Sequence, residues 1–71
     1  MWTVEKLLGD MSYHIPVKIK IGKEIKTGIV YPKDEKFCIV YVREYQAEYE
    51  YSLLTIVYHL NGQGKHNYLQ V

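Results

Sequence analysis

Phe37-Cys38-Ile39-Val40-Tyr41-Val42 is the most apolar unbroken run of the chain. It is rich in β-branched and aromatic side chains and is bounded by charged residues, which reads as a buried strand. Alternation sends Phe37, Ile39 and Tyr41 to one side and Cys38, Val40 and Val42 to the other. Both sides are apolar, so both need covering, and one short helix covers only one of them.

Upstream of this strand, Thr3 is placed to cap a helix, with Val4, Leu7, Leu8 and Met11 at the i, i+3, i+4, i+7 spacing of a single helical face. Trp2 before the cap and Leu7 within the helix form the pair of a hydrophobic staple. Gly9 either ends this helix or weakens its last turn, and Ser12 to Ile15 connects onward. Pro16 takes the first position of a strand, where its missing N–H does least harm. Val17, Ile19 and Ile21 then alternate with Lys18 and Lys20, the clearest period-two pattern in the chain. Gly22-Lys23-Glu24 turns into a strand over Ile25 to Tyr31, where Gly28 marks a bulge or a close backbone contact. Pro32 to Lys36 reverses the chain again.

Downstream, the stretch from Arg43 to Leu60 is too long for one strand. A two-residue turn at Gln46-Ala47 sets Arg43 opposite Glu50 and Val40 opposite Leu53. Asn61-Gly62 is a hairpin signal, and His66 to Val71 reads as a closing strand. The competing assignment makes Tyr49, Leu53, Ile56 and Leu60 a helical stripe. The reading adopted is α+β: one domain over residues 1–71, with a short N-terminal helix followed by an antiparallel sheet of four or five strands.

At 71 residues, the chain buries only about 60% of its unfolded surface, which leaves little room for an enclosed catalytic pocket. Its apolar share of 48% and charged share of 24% belong to a folding chain, not a disordered one. A formal charge of +1 supplies no large field for non-specific binding to phosphate backbones. One cysteine excludes an intramolecular disulfide, and no charged leader with an apolar run opens the chain, so a cytoplasmic setting is expected. Every apolar run falls short of the roughly 20 residues that cross a bilayer.

His14, His59 and His66 stand at no familiar metal-ligand spacing, although His59 and His66 could meet across a final hairpin. Cys38 has no basic neighbour in sequence to activate it and reads as a buried thiol. Glu44, Glu48 and Glu50 read as a solvated edge paired with lysines rather than as an acid–base pair. No nucleophile, base and pocket can be assembled, so the chain is read as non-catalytic, with neither cofactor nor metal.

The eight tyrosines carry more information. Tyr41, Tyr45, Tyr49, Tyr51 and Tyr58 lie within or beside the central strands, and a core this small cannot bury them all. Exposed tyrosines suit protein contacts, and they stack on single-stranded nucleic acid when basic residues surround them. Here the neighbours are glutamates, which favours a protein partner. Lys18, Lys20, Lys23 and Lys26 form a basic strip at the other end of the sheet and carry the alternative, nucleic-acid reading. The apolar face left uncovered, with Val40 and Leu53 as its expected contacts, points to a two-fold homodimer.

Thr3-Val4-Glu5-Lys6-Leu7-Leu8 followed by Pro16-Val17-Lys18-Ile19 resembles the opening of many small phage and prophage proteins, in which a TVxxLL helix leads into a PVxI strand. The resemblance covers about the first 20 residues. It implies a small α+β protein of a mobile element that modulates a host protein, and no site residue comes with it.

Overall fold

Thr3 caps the first helix, α1 (Val4–Asp10), its hydroxyl accepting a hydrogen bond from the Lys6 amide at 3.1 Å. The structure, a computed structural model, describes residues 1–63 and 67–71. Leu7 and Met11 of the expected stripe are buried, Val4 packs at the margin of the core, and Leu8 stays exposed. Gly9 does not end the helix. The chain tightens into a 3-10 turn over Met11–Tyr13, and His14 stops it in the left-handed conformation at φ 57°.

β1 (Pro16–Ile21) and β2 (Glu24–Pro32) form an antiparallel pair, with Ile21 opposite Glu24 across the turn. Gly22 makes that turn at φ 63°, a conformation that costs glycine little and side-chain-bearing residues more. Gly28 continues the β1–β2 ladder without a bulge, and a Cβ there would run into Val40 Cγ1, so close approach is its role. The Asp34 carboxylate accepts bonds from the Lys36 and Phe37 amides, both at 2.8 Å, which folds the reversal into β3 (Phe37–Val42). Cys38, Val40 and Val42 are fully buried, while Phe37, Ile39 and Tyr41 face outward.

After β3 the structure departs from the expected register. The connection is a 3-10 turn, Arg43–Tyr45, closed by Gln46 in the left-handed region. β4 (Ala47–Ser52) therefore pairs Val42 with Ala47 and Val40 with Tyr49, not Val40 with Leu53 or Arg43 with Glu50. The slip is four residues of β4, an even number, so every side chain keeps the face that alternation assigns it.

β4 ends where α2 (Leu53–Leu60) starts, so the long strand expected toward Leu60 is half strand and half helix. Ser52 makes the change. Its hydroxyl accepts a bond from the Thr55 amide at 3.1 Å, as an N-cap does. Leu53 and Ile56 then fall one turn apart and both are buried. Asn61-Gly62 terminates this helix instead of turning a hairpin. Gly62 is left-handed, its amide bonds to the His59 carbonyl, and the Gln63 amide bonds to that of Tyr58, the Schellman pattern. The Asn61 side chain also bonds both the N–H and the carbonyl of Trp2, at 2.8 and 2.9 Å, tying the start of the chain to the end of α2.

The closing strand shrinks to β5 (Leu69–Gln70), and His66 lies outside the described residues. The sheet order is β4-β3-β2-β1-β5, antiparallel except for β1 with β5, which is parallel. A parallel neighbour requires a crossover, and α2 provides it by carrying the chain from one sheet edge toward the other. The sheet curls until its edges approach: the Tyr51 hydroxyl of β4 donates to the Gln70 carbonyl of β5 at 2.7 Å. Leu7, Leu53 and Ile56 share one core with Cys38, Val40 and Val42, so both helices cover the inner face. Val40 and Leu53, expected as contacts of a self-association surface, are 0% and 2% exposed and belong to that core.

Candidate functional site

With both helices on the inner side, the outer face of the sheet keeps the apolar residues of β2 and β3. The ladder sets Ile29 opposite Tyr41 and Tyr31 opposite Ile39, a block of four side chains at its centre. Tyr31 meets Tyr41 edge to face with ring centroids 6.4 Å apart, and His14 meets Tyr31 in the same way at 6.1 Å. Such edge-to-face pairs stiffen the block as a unit. Tyr31 is 40% exposed and Phe37, further along β3, is 39% exposed. A shallow groove of about 380 Å³ runs between Tyr31, Pro32, Ile39, Tyr41 and Glu48.

Charge is distributed unevenly beside this block. On β4, Glu48 and Glu50 alternate outward, Glu48 opposite Tyr41 and Glu50 opposite Ile39, and Glu50 pairs with Lys33. On β1, Lys18 and Lys20 face the same side. Lys18 Nζ lies 3.3 Å from Thr27 Oγ1, and Lys20 Nζ stands 5.4 Å from the centre of the Tyr68 ring.

The five tyrosines singled out from sequence do not form one surface. Tyr41 belongs to the outer block. Tyr45, on the turn after β3, donates to the Glu24 carboxylate and lies beneath Lys26 Nζ. That bond, and Lys26 after it, hold the Glu24 carboxyl below its ordinary value, while the same bond to the carboxylate raises the Tyr45 phenol against the opposing pull of Lys26. Tyr49 and Tyr51 point inward and pack against the core, and Tyr58 is exposed on α2. Tyr58, Tyr51, His59 and Tyr68 line a separate groove of about 270 Å³.

The lysine strip is divided as well. Lys18 and Lys20 are neighbours on the outer face and Lys23 is exposed at the turn, but Lys26 bonds Glu44 and faces Glu24, contacts that raise its pKa. Residues that the sequence reading passed over are Ile29, Tyr31 and Ile39. Their signal was the alternation of β2 set beside that of β3, which becomes visible only once the two strands are paired.

His59 serves the fold: its Nε2 accepts the Lys18 amide of β1 at 3.3 Å, and burial lowers its pKa. Burial likewise pushes the Cys38 thiol up to about 11, where it is a poor nucleophile at neutral pH. Among the described residues, no three His, Cys, Asp or Glu side chains are arranged to hold a metal ion, and no helix is long and apolar enough to cross a membrane. Compared with known proteins, the chain matches no family model, no curated protein and no solved structure.

Proposed function

We propose that this chain is a small non-catalytic module that binds protein through the outer face of its sheet. The observation that carries the reading is the outer-face block of Ile29, Tyr31, Ile39 and Tyr41, exposed at Tyr31 and half-buried at the other three, beside two described helices that both cover the opposite face. Aromatic and aliphatic groups held in a fixed array on a rigid sheet are the usual anchors of protein interfaces. A cytoplasmic setting, with a host protein among the partners, belongs to the same proposal. It is supported by the lone thiol and by the resemblance of the opening helix and strand to phage and prophage proteins.

Nucleic acid is the weaker alternative. It needs Lys18, Lys20, Lys23 and Lys26 to neutralise phosphates together, whereas Lys26 is already engaged by two carboxylates.

The test is affinity capture of tagged wild type from host cells beside Tyr31→Ala and Tyr41→Ala variants of unchanged melting behaviour. Recovery of the captured proteins is expected to fall about tenfold or more in the variants. Equal recovery would remove the outer face from the proposal, and salt-sensitive binding of DNA or RNA would favour the alternative.

A further inference from the structure

We infer that the groove on the outer face receives an arginine side chain of the partner protein, its guanidinium lodged against the Tyr31 and Tyr41 rings and bonded to Glu48. The inference rests on the reading of that face as a docking surface, and it names the chemistry of the occupant. Tyr31, Pro32, Ile39, Tyr41 and Glu48 line the groove. The two tyrosine rings are inclined at 73°, so they stand as adjoining walls and not as a stack. In such a pair the ring that offers its edge keeps its faces clear of the other, and the electron-rich face of a tyrosine attracts a cation.

The charge lining the groove is that of one carboxylate. Glu48 is exposed and lies opposite Tyr41 on the β3–β4 ladder. Glu50, two residues along, is paired with Lys33, whereas Glu48 takes part in none of the ion pairs among the described residues. The combination of tyrosine ring and carboxylate recurs where this chain supplies its own cation. Lys26 Nζ stands 5.7 Å from the centre of the Tyr45 ring and reaches the carboxylates of Glu24 and Glu44 at 3.5 and 3.0 Å. Among the described residues no lysine or arginine does the same for Tyr31, Tyr41 and Glu48, so a cation there has to come from the partner.

Arginine fits this groove better than lysine. Its guanidinium is flat, stacks on an aromatic face, meets a carboxylate through two parallel N–H bonds and is more weakly hydrated than an ammonium. Hydration matters because the groove is shallow and open to water, so a strongly hydrated lysine head gains less by entering it. The aliphatic stem of the arginine has Pro32 and Ile39 to lie on.

The experiment titrates the isotope-labelled protein with N-acetyl-arginine methylamide at constant ionic strength and follows backbone and tyrosine-ring resonances. N-acetyl-citrulline methylamide, equal in length but uncharged, and the lysine analogue are titrated beside it. Arginine is expected to shift Tyr31, Ile39, Tyr41 and Glu48 saturably with a Kd of about 1–30 mM, the range of a small fragment. Citrulline is expected to bind at least about fivefold more weakly, and so is arginine to a Glu48→Lys variant whose well-dispersed spectrum establishes that it is folded. No saturable shift at these residues up to about 100 mM overturns the inference. So does citrulline that binds as arginine does, or a Glu48→Lys variant that binds arginine as wild type does. Lysine binding as tightly as arginine overturns the choice of arginine. The capture experiment separates this inference from the reading beneath it. Glu48→Lys is expected to lose the same partners that Tyr31→Ala and Tyr41→Ala lose. If only the tyrosine variants lose them, the arginine is refuted and the docking face stands; if none does, the docking face itself is refuted.

Discussion

Cys38 and Gly28 show how tightly the centre of the sheet is packed. The thiol is fully buried and its pKa is raised to about 11, so very little thiolate forms near neutral pH. Ellman's reagent is expected to label the native protein slowly at pH 7 and completely after denaturation, and a fast native reaction would contradict the burial of β3. Gly28 is legible in sequence as either a bulge or a close contact, and only the structure decides for the contact and shows what it touches. The neighbour is Val40, across the β2–β3 ladder, and an added Cβ would meet its Cγ1. Gly28→Ala is therefore expected to destabilise by about 1–3 kcal/mol as overpacking, read as a lower denaturant midpoint at unchanged slope.

α2 is the element on which the fold turns, and its register on the sheet is fastened by polar contacts at both ends. Ser52 caps its start, Asn61 ties its end to Trp2, and His59 takes the Lys18 amide of β1. Burial lowers the His59 pKa from its ordinary 6.5, so the folded state prefers the neutral ring and holds fewer protons than the unfolded chain. Stability from this site is whole above about pH 6.5 and declines as pH falls through the window between the unfolded and folded values. A protonated Nε2 also ceases to be an acceptor. Melting temperature measured between pH 7.5 and 5 is expected to drop toward the acid end. His59→Gln is expected to flatten that slope, and an identical slope in the variant would assign the effect to other groups. The capping signals of α2, Ser52 before an apolar pair and Gly62 after the last turn, are present in sequence. They do not decide the state, because the β-branched run Thr55-Ile56-Val57 is equally compatible with a strand and Asn61-Gly62 with a hairpin turn.

For the whole molecule, the decisive feature is closure of the curled sheet on one side and the open face on the other. The Tyr51 hydroxyl spans from β4 to the Gln70 carbonyl, joining strands at opposite edges of the sheet. Tyr51→Phe keeps the ring and removes the bond, so a loss of about 0.5–1.5 kcal/mol is expected in chemical denaturation. A neutral result would mean that packing alone closes the curl. Among the described residues no element covers the outer block of Tyr31, Ile39 and Tyr41, which is why that face is proposed as the docking surface.

By itself the sequence determined the alternation of β1 and β3, the first helix and its Thr3 cap, the β1–β2 hairpin at Gly22, and the α+β class. These depend on alternation and capping, which act over two to four neighbouring residues and are readable in the chain. Only the tertiary structure decided the β3–β4 register, the helical state of Leu53–Leu60, the parallel placement of β5 and the side on which α2 lies. Leu53 and Ile56 are apolar in either a strand or a helix. What settles their state is that, as a helix, they bury against Leu7 and the inner side of β3 in a single core. The outer face was hidden for the same reason: Tyr31 and Tyr41 are ten residues apart in the chain and become one surface only when β2 and β3 pair.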